Sequence, residues 1–341
     1  MKKLALSVFL VLGLVAAASA QNMLLNAAGA TFPYPIYSKW FDVYHTQHSS
    51  VQINYQSIGS GGGIRQLTAG TVDFGASDAP MNDDQLKEYQ TKNGCAVLHF
   101  PTVLGAVVPI YNIPKVTADI KFSQKAIAGI YLGTITKWND PEITKANPGL
   151  SLPGDDIVVV HRSDGSGTSF IWTDFLSKVS PDWKGKVGAS ASVNWPVGLG
   201  GKGNEGVSGL VKQTPDSIGY VELIYAKQNN ISFGYMQNAD GKFLQASLEG
   251  VTAAAAGAAK SMPDDFRVSI TDAPGATAYP VSSFTWLLIP QEIKDAGKRD
   301  AIKAFLKWML TDGQGYNEGL LYAKLPKAVV DKELKAIAKV Q

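Results

Sequence analysis

The chain lacks the residues that would cross-link it or charge it strongly. Its 341 residues include a single cysteine, Cys95, so no disulfide can form within the chain. Because Val97, Leu98 and Phe100 follow that cysteine, we expect a buried structural thiol. Lysine and arginine total 31 against 29 acidic residues, and no basic stripe appears. A nucleic-acid partner, which normally requires such a stripe, is therefore not expected.

Motifs of common enzymes are also missing. The chain contains no G-x-S-x-G motif and no obvious Ser–His–Asp set. His45 and His48 are three residues apart on a predicted helix, but no third metal ligand accompanies them. Residues 198–203 match the G-x-G-x-x-G spacing, yet they follow Trp195-Pro196 rather than a clear strand. We therefore predict no catalytic residues, no metal and no cofactor.

The one long apolar run before the predicted domains stands at the N-terminus. Lys2 and Lys3 precede an apolar stretch over residues 4–15, and Ala18-Ser19-Ala20 then forms a small-residue cleavage site. The stretch is too short for a comfortable membrane span. We predict that residues 1–20 are a signal peptide cleaved near Ala20. Its two lysines leave with it, so the mature chain carries 29 basic and 29 acidic residues.

Strand-like and helix-like segments alternate along the rest of the chain. Apolar residues alternate over residues 51–55 and recur at helical spacing over residues 36–44. The unbroken β-branched run at 157–160 is typical of a strand buried on both faces, and the apolar run at 103–111 indicates a central strand. This order predicts an α/β protein with a mostly parallel sheet, in which ligands bind where helices begin.

Three turns rich in Gly, Ser and Thr each open a predicted helix. They are residues 28–32, 59–63 and 164–169. A helix N-terminus exposes unpaired N–H groups and a partial positive charge, so it can bind an anion. Three such turns in one chain suggest a single oxyanion site. Because the turns lie in two separate regions of the chain, a cleft between two lobes is the simplest arrangement that brings them together. The alternatives are a flexible turn at Ser60 and an ordinary cap at Ser166-Gly167-Thr168.

Two charged residues accompany these turns. Arg162 can clamp an anion, form an internal pair with Asp164, or do both. Asp78 would repel an anion that carries no proton. A protonated anion can instead donate a hydrogen bond to the Asp78 carboxylate. Phosphate meets this condition near neutral pH and fully ionised sulfate does not. The alternative for Asp78 is a turn or cap carboxylate.

Several motifs resemble those of the periplasmic phosphate-binding proteins of bacterial phosphate ABC transporters. The resemblance runs from about Ala27 to about Pro326 and departs at Gly61 and His161. It is carried by these segments: Ala28-Gly29-Ala30-Thr31-Phe32-Pro33, Gly59-Ser60-Gly61-Gly62, Asp73-Phe74-Gly75-Ala76-Ser77-Asp78, Asp164-Gly165-Ser166-Gly167-Thr168-Ser169, Trp195-Pro196-Val197-Gly198, Gly219-Tyr220-Val221-Glu222 and Tyr225-Ala226-Lys227-Gln228-Asn229-Asn230.

The resemblance implies a two-lobed type II periplasmic-binding-protein fold, each lobe a mixed, mostly parallel sheet flanked by helices, with the ligand cleft between them. It implies lobe I over residues 21–106 and 282–341 and lobe II over residues 107–281, with crossings near Ala106 and Val281. The expected partners are inorganic phosphate and the membrane permease of an ABC transporter. The protein is then a periplasmic monomer.

The resemblance also implies a role for each site residue. Ala30, Thr31 and Phe32 would supply backbone N–H groups and the threonine hydroxyl. Ser60 would supply its hydroxyl and N–H, and Asp78 would accept the phosphate proton. The other lobe would close on the anion with Arg162, Ser166, Gly167 and Thr168. The competing hypotheses are a secreted phosphatase with the same cradle and a carrier of sulfate or another oxyanion.

Overall fold

The computed structural model describes residues 23–341. The predicted signal peptide at residues 1–20 lies outside this range. The strands are β1 (Met23–Gly29), β2 (Val51–Ser57), β3 (Phe74–Ser77), β4 (Val97–Asn112), β5 (Lys121–Phe122), β6 (Val158–Arg162), β7 (Leu199–Gly201), β8 (Ser217–Glu222), β9 (Ser232–Phe233), β10 (Tyr235–Gln237), β11 (Phe243–Leu244) and β12 (Ser282–Pro290).

Helices alternate with these strands for most of the chain. They are α1 (Tyr34–Gln47), α2 (Ser60–Thr68), α3 (Asp83–Asn93), α4 (Gln124–Leu132), α5 (Pro141–Thr144), α6 (Gly167–Val179), α7 (Pro181–Lys186), α8 (Gly203–Gln213), α9 (Leu223–Gln228), α10 (Leu248–Lys260), α11 (Ala296–Leu310) and α12 (Lys327–Ala336), with 3-10 turns at Asp312–Tyr316, Glu318–Leu320 and Ile337–Lys339. None of the helices within residues 23–341 has the length and apolarity needed to cross a bilayer.

One long mixed sheet runs through the molecule, and its strands are ordered β2-β1-β3-β12-β4-β8-β6-β7, with β9 beside β4. The predicted α/β class is confirmed. We call β1–β3 with α1–α3 the first lobe, and β6–β8 with α6 and α8 the second lobe. Pairing is parallel within each lobe, where helices connect the strands. A smaller sheet, ordered β11-β10-β5, lies apart from the long one.

The two longest strands join the lobes and are antiparallel. β4 pairs with β12 from Val97 to Ala106, then with β8 from Val107 to Asn112. Both strands are buried over nearly their whole length, which confirms the apolar runs as central strands. They run in opposite directions, so the middle of the sheet is antiparallel where the sequence favoured parallel pairing. The division of residues into lobes at 106 and 282 stays a prediction.

One local structure differs from the sequence-based expectation, and another agrees with it. Helix α2 begins inside the turn at residues 59–63, at Ser60 rather than after Gly63, because Gly59 takes a positive φ of 86°. The next glycines therefore form the first turn of a helix instead of a loop. The G-x-G-x-x-G segment at residues 198–203 contains β7 and runs into α8, and it follows an irregular stretch rather than a strand, as expected.

Gly63 sets the close approach of α2 to β1, which leads to a stability prediction. A Cβ atom at Gly63 would lie 2.5 Å from the Ala28 carbonyl oxygen and from the Gly29 Cα. Because backbone cannot give way cheaply, Gly63→Ala should lower the free energy of unfolding by about 1–3 kcal/mol. Urea denaturation measures this change.

Gly257, inside helix α10, is the matched control. Apart from the adjoining backbone of α10, no atom of residues 23–341 lies within 4 Å of a Cβ built there. Gly257→Ala should therefore raise the free energy of unfolding by about 0.4–1 kcal/mol, through lower entropy of the unfolded chain. Equal effects of the two substitutions would contradict the packing role of Gly63.

Candidate functional site

The site lies where the two lobes meet, and its first-lobe residues are buried. Thr31, Ser60 and Asp78 are at most 3% exposed. The Ala30 N–H donates to the Ala76 carbonyl at 3.0 Å, so the structure commits that donor to the backbone. Within residues 23–341, the N–H groups of Thr31 and Phe32 donate to no protein acceptor. Phe32 also anchors the turn, because its carbonyl accepts a bond from the Tyr322 hydroxyl.

Ser60 joins the glycine turns of the two lobes. Its Oγ accepts the N–H groups of Asp78 and Gly167, each at 3.1 Å. Alongside, the Gly61 N–H donates to the Gly165 carbonyl at 2.8 Å. A Cβ atom on Gly167 would stand 2.5 Å from Asp78 Oδ2, so only glycine fits this contact. The sequence-based expectation that the turns at residues 59–63 and 164–169 converge is confirmed.

Asp78 is a buried carboxylate with one committed oxygen. Its Oδ1 accepts the Thr285 hydroxyl at 2.7 Å, whereas its Oδ2 has only a long contact of 3.4 Å with Ser60 Oγ. Burial raises the pKa of Asp78 from 3.8 to about 7, against the opposing effects of the Thr285 bond, the Arg162 charge and Ser60. The carboxylate therefore holds a proton more readily than an exposed aspartate and keeps Oδ2 available as an acceptor.

Arg162 is held by its neighbour Asp164. Its Nε and Nη2 donate to the two carboxylate oxygens at 2.7 and 2.6 Å, while the Gly203 N–H donates to the same carboxylate at 3.1 Å. Burial opposes the charge of Asp164, but the bonds and charge of Arg162 hold the pKa of Asp164 below its ordinary value. The internal pair considered from the sequence is therefore present. The third nitrogen, Nη1, is buried without a protein partner in residues 23–341.

Helix α6 supplies the second-lobe face of the site. Ser166 Oγ accepts the Ser169 N–H at 3.0 Å, so the ordinary cap weighed from the sequence exists. Ser166 and Thr168 are fully buried. The Gly167 N–H is committed to Ser60, and within residues 23–341 the Thr168 N–H donates to no protein acceptor. The structure thus brings the nine predicted site residues to one junction.

Sequence reasoning missed two groups at this junction. Asn204, the second residue of α8, bridges Thr31 and Thr168, and Thr285 of β12 holds Asp78. Helix α8 begins at Gly203, the last residue of the glycine run at 198–203, so that run was the available signal for Asn204. Thr285 lies 207 residues from Asp78, and no local pattern marks it.

Comparison with known proteins identifies the family. The family model described as a PBP superfamily domain matches residues 15–313. A "Phosphate-binding protein PstS" of Pasteurella multocida (strain Pm70) is 45% identical over 93% of this chain and 90% of its own length. A protein of the same name from Xylella fastidiosa (strain Temecula1) is 46% identical over 93% and 85%. The chain belongs to the PstS family of phosphate-binding proteins.

Solved structures agree on the fold. The phosphate-binding protein from Stenotrophomonas maltophilia is 18% identical and superposes with a TM-score of 0.69 over 92% of this chain and 93% of its own. At that identity the likeness speaks for the fold alone. The two-lobed periplasmic-binding-protein fold expected from the motifs is confirmed.

The buried Asp78 predicts a pH-dependent cost to stability. Between pH 3.8 and about 7 the folded chain binds a proton at Asp78 that the unfolded chain releases. Stability from this group is therefore greatest at low pH and falls as pH rises through this window, by up to about 4 kcal/mol. Asp78→Asn should remove this pH-dependent loss of stability. The free energy of unfolding of the variant, relative to that of the wild type, should therefore increase from pH 5 to pH 8.

Urea denaturation in phosphate-free buffer at several pH values measures this difference. Asp42→Asn, at an exposed position on α1, is the control and should leave the pH profile unchanged. A constant difference between Asp78→Asn and wild type across the range would contradict the assignment of the cost to Asp78.

Proposed function

We propose that this protein binds inorganic phosphate outside the cytoplasmic membrane and delivers it to the permease of an ABC transporter. The relatives carry the name "Phosphate-binding protein PstS". The observation that carries the proposal is Asp78, a buried carboxylate among N–H and O–H donors whose Oδ2 has only a long contact with Ser60 Oγ. Such a site suits an anion that brings its own proton.

The donors around Asp78 come from both lobes. The N–H groups of Thr31 and Phe32 and the Ser60 hydroxyl act from the first lobe. Thr168 and Ser166 act from the start of α6, and Arg162 adds Nη1. The N–H groups of Ala30 and Gly167 already have protein acceptors. They can contact the ligand only through bifurcated hydrogen bonds that keep those acceptors. Binding then draws the lobes together, since donors of both contact one ligand.

Charge balance explains how the site holds an anion without a free cation. The Arg162 charge is largely matched by Asp164, which it contacts through two bonds. Helix N-termini and unpaired N–H groups therefore supply most of the stabilisation of the ligand. Asp78 opposes any ligand that lacks a proton, because two acceptors then face each other without a hydrogen between them.

We propose that the protein is a receptor rather than a phosphatase. The Ser60 hydroxyl oxygen accepts two backbone N–H bonds, and Ser166 Oγ accepts one as a helix cap. Both oxygens are thereby stabilised as acceptors instead of being activated as nucleophiles. Turnover of a generic phosphate ester, with and without divalent metal, tests the alternative, and sustained turnover would support an enzyme.

Export and assembly complete the proposal. The predicted signal peptide places the mature chain in the periplasm, where a monomer would meet its permease. N-terminal sequencing of the protein from fractionated cells should begin near Gln21. An N-terminus at Met1 in the cytoplasmic fraction would contradict export.

Calorimetry tests the ligand directly. After bound ligand is stripped from the mature protein, phosphate titrated at pH 7 should bind tightly with one-to-one stoichiometry. Sulfate in excess should not compete. Weak phosphate binding, or displacement of phosphate by sulfate, would contradict phosphate as the ligand. The ligand would then be another anion, and the enzyme alternative would have to be tested again.

Asp78→Asn should narrow the preference for phosphate over sulfate. The amide keeps the shape of the side chain but offers N–H donors, which sulfate can accept. We expect the ratio of the two dissociation constants to fall by at least about tenfold, the effect of one unsatisfied buried contact. Calorimetry on Asp78→Asn and on the exposed control Asp42→Asn measures it. An unchanged ratio would exclude Asp78 as the selective group.

The pH dependence of sulfate binding gives an independent prediction. Because burial raises the pKa of Asp78 to about 7, the wild-type carboxyl gains a proton as pH falls from 8 to 5.5 and can then donate to sulfate. Sulfate affinity should rise over this interval in the wild type and stay nearly level in Asp78→Asn. Parallel slopes for both proteins would show that another group controls sulfate entry.

A further inference from the structure

Asn204 lies between the lobes but is not one of the residues proposed to bind the ligand. It is the second residue of helix α8 and is fully buried. Its Nδ2 lies 2.7 Å from Thr31 Oγ1 of the first lobe and 3.1 Å from Thr168 Oγ1 of the second lobe. One side-chain amide therefore contacts a hydroxyl from each half of the site.

The orientation of this amide is determined by a third contact. The Glu222 backbone N–H lies 2.9 Å from Asn204 Oδ1. A backbone N–H can only donate, so the atom facing it must be the amide oxygen. The amide nitrogen, which can only donate, must then face the two threonines.

This orientation decides what the threonine hydroxyls can do. Thr31 Oγ1 accepts the Nδ2 bond and a second bond of 3.3 Å from the Asn204 backbone N–H, which together occupy its two lone pairs. Thr168 Oγ1 accepts the other Nδ2 bond. The hydrogen of each hydroxyl cannot point to Asn204 and is left to donate elsewhere.

We propose that Asn204 is a positioning residue that presents the hydroxyls of Thr31 and Thr168 as donors to the bound anion. This inference rests on the proposed function. Two fixed donors select ligand oxygens without a proton, and the acceptor Asp78 selects the oxygen that carries one. Asn204 thus helps to orient a singly protonated tetrahedral oxyanion within the site.

The hydrogen bonds of Asn204 also connect the two lobes. Thr31 precedes α1 in the first lobe and Asn204 lies in the first turn of α8 in the second, so their bonds form only when the lobes touch. A second link lies beside them, because the Tyr225 hydroxyl donates to the Thr31 carbonyl at 2.6 Å. Loss of the Asn204 amide should therefore weaken binding without removing every contact between the lobes.

Asn204→Asp is the sharpest test, because it keeps the shape and replaces the donor by an acceptor. The threonine hydroxyls would then turn toward the introduced carboxylate. Relative to the wild type, phosphate affinity at pH 8 should fall by at least about tenfold. The deficit should shrink as pH falls, since protonation of the introduced carboxyl restores a donor. Asn204→Ala should show a deficit that changes little with pH.

A double-mutant cycle separates positioning from a structural effect. Thr31→Val, Asn204→Ala and the double variant are titrated with phosphate by calorimetry, and thermal unfolding checks that each is folded. If Asn204 acts through the Thr31 hydroxyl, the double variant loses phosphate affinity by a smaller factor than the product of the two single-variant factors. Multiplicative losses, together with a pH-independent deficit in Asn204→Asp, would overturn the proposal.

The two proposals can fail separately. A wild type that does not bind phosphate would refute the proposed function whatever the variants do. A wild type that binds phosphate tightly, with wild-type affinity retained in Asn204→Asp and Asn204→Ala, would refute only the role of Asn204. The cycle does not depend on folding of Asn204→Asp, so instability of that variant leaves the test intact.

Discussion

Burial of the Asp78 carboxylate at the junction of the lobes is the constraint on which the rest of the site depends. A carboxylate without water needs donors or a proton, and its raised pKa reflects how incompletely the protein supplies the donors. Thr285 from the crossing strand β12 engages one oxygen, and Gly167 comes so close to the other that a side chain cannot fit. These contacts are the basis of the proposal that Asp78 accepts a proton from the ligand.

The charged residues of the site balance one another, which leaves ligand binding to dipoles. Arg162 is committed to Asp164, and a helix start, through the Gly203 N–H, completes the coordination of that carboxylate. The remaining donors of the proposed site are Arg162 Nη1 and the backbone N–H groups and hydroxyls whose directions the fold determines. Directed donors distinguish ligands by the placement of their protons, whereas a free cation would attract any anion of sufficient charge.

Much of the architecture could be predicted from the sequence because it depends on local patterns. The apolar run at residues 103–111 is a buried strand, and the glycine turns at 59–63 and 164–169 meet as expected. The run at 157–160 lies largely in β6, where Val159 and Val160 are buried but Val158 is only half-buried, so burial on both faces is confirmed only in part. The start of α2 could not be predicted, because a run of glycines has no helical pattern. The antiparallel centre of the sheet was also hidden, since pairing direction depends on how the chain returns between the lobes.

The α/β class, the family resemblance and nine of the residues at the junction could be predicted from sequence alone, because apolar periodicity and turn chemistry are properties of neighbouring residues. The contacts that these residues make depend on the tertiary structure. It assigned the Ala30 and Gly167 N–H groups to protein acceptors, paired Arg162 with Asp164, and brought Thr285 and Asn204 to the site. Asn204 stands 173 residues from Thr31, and a contact over such a separation follows from packing of the lobes, which no local pattern encodes.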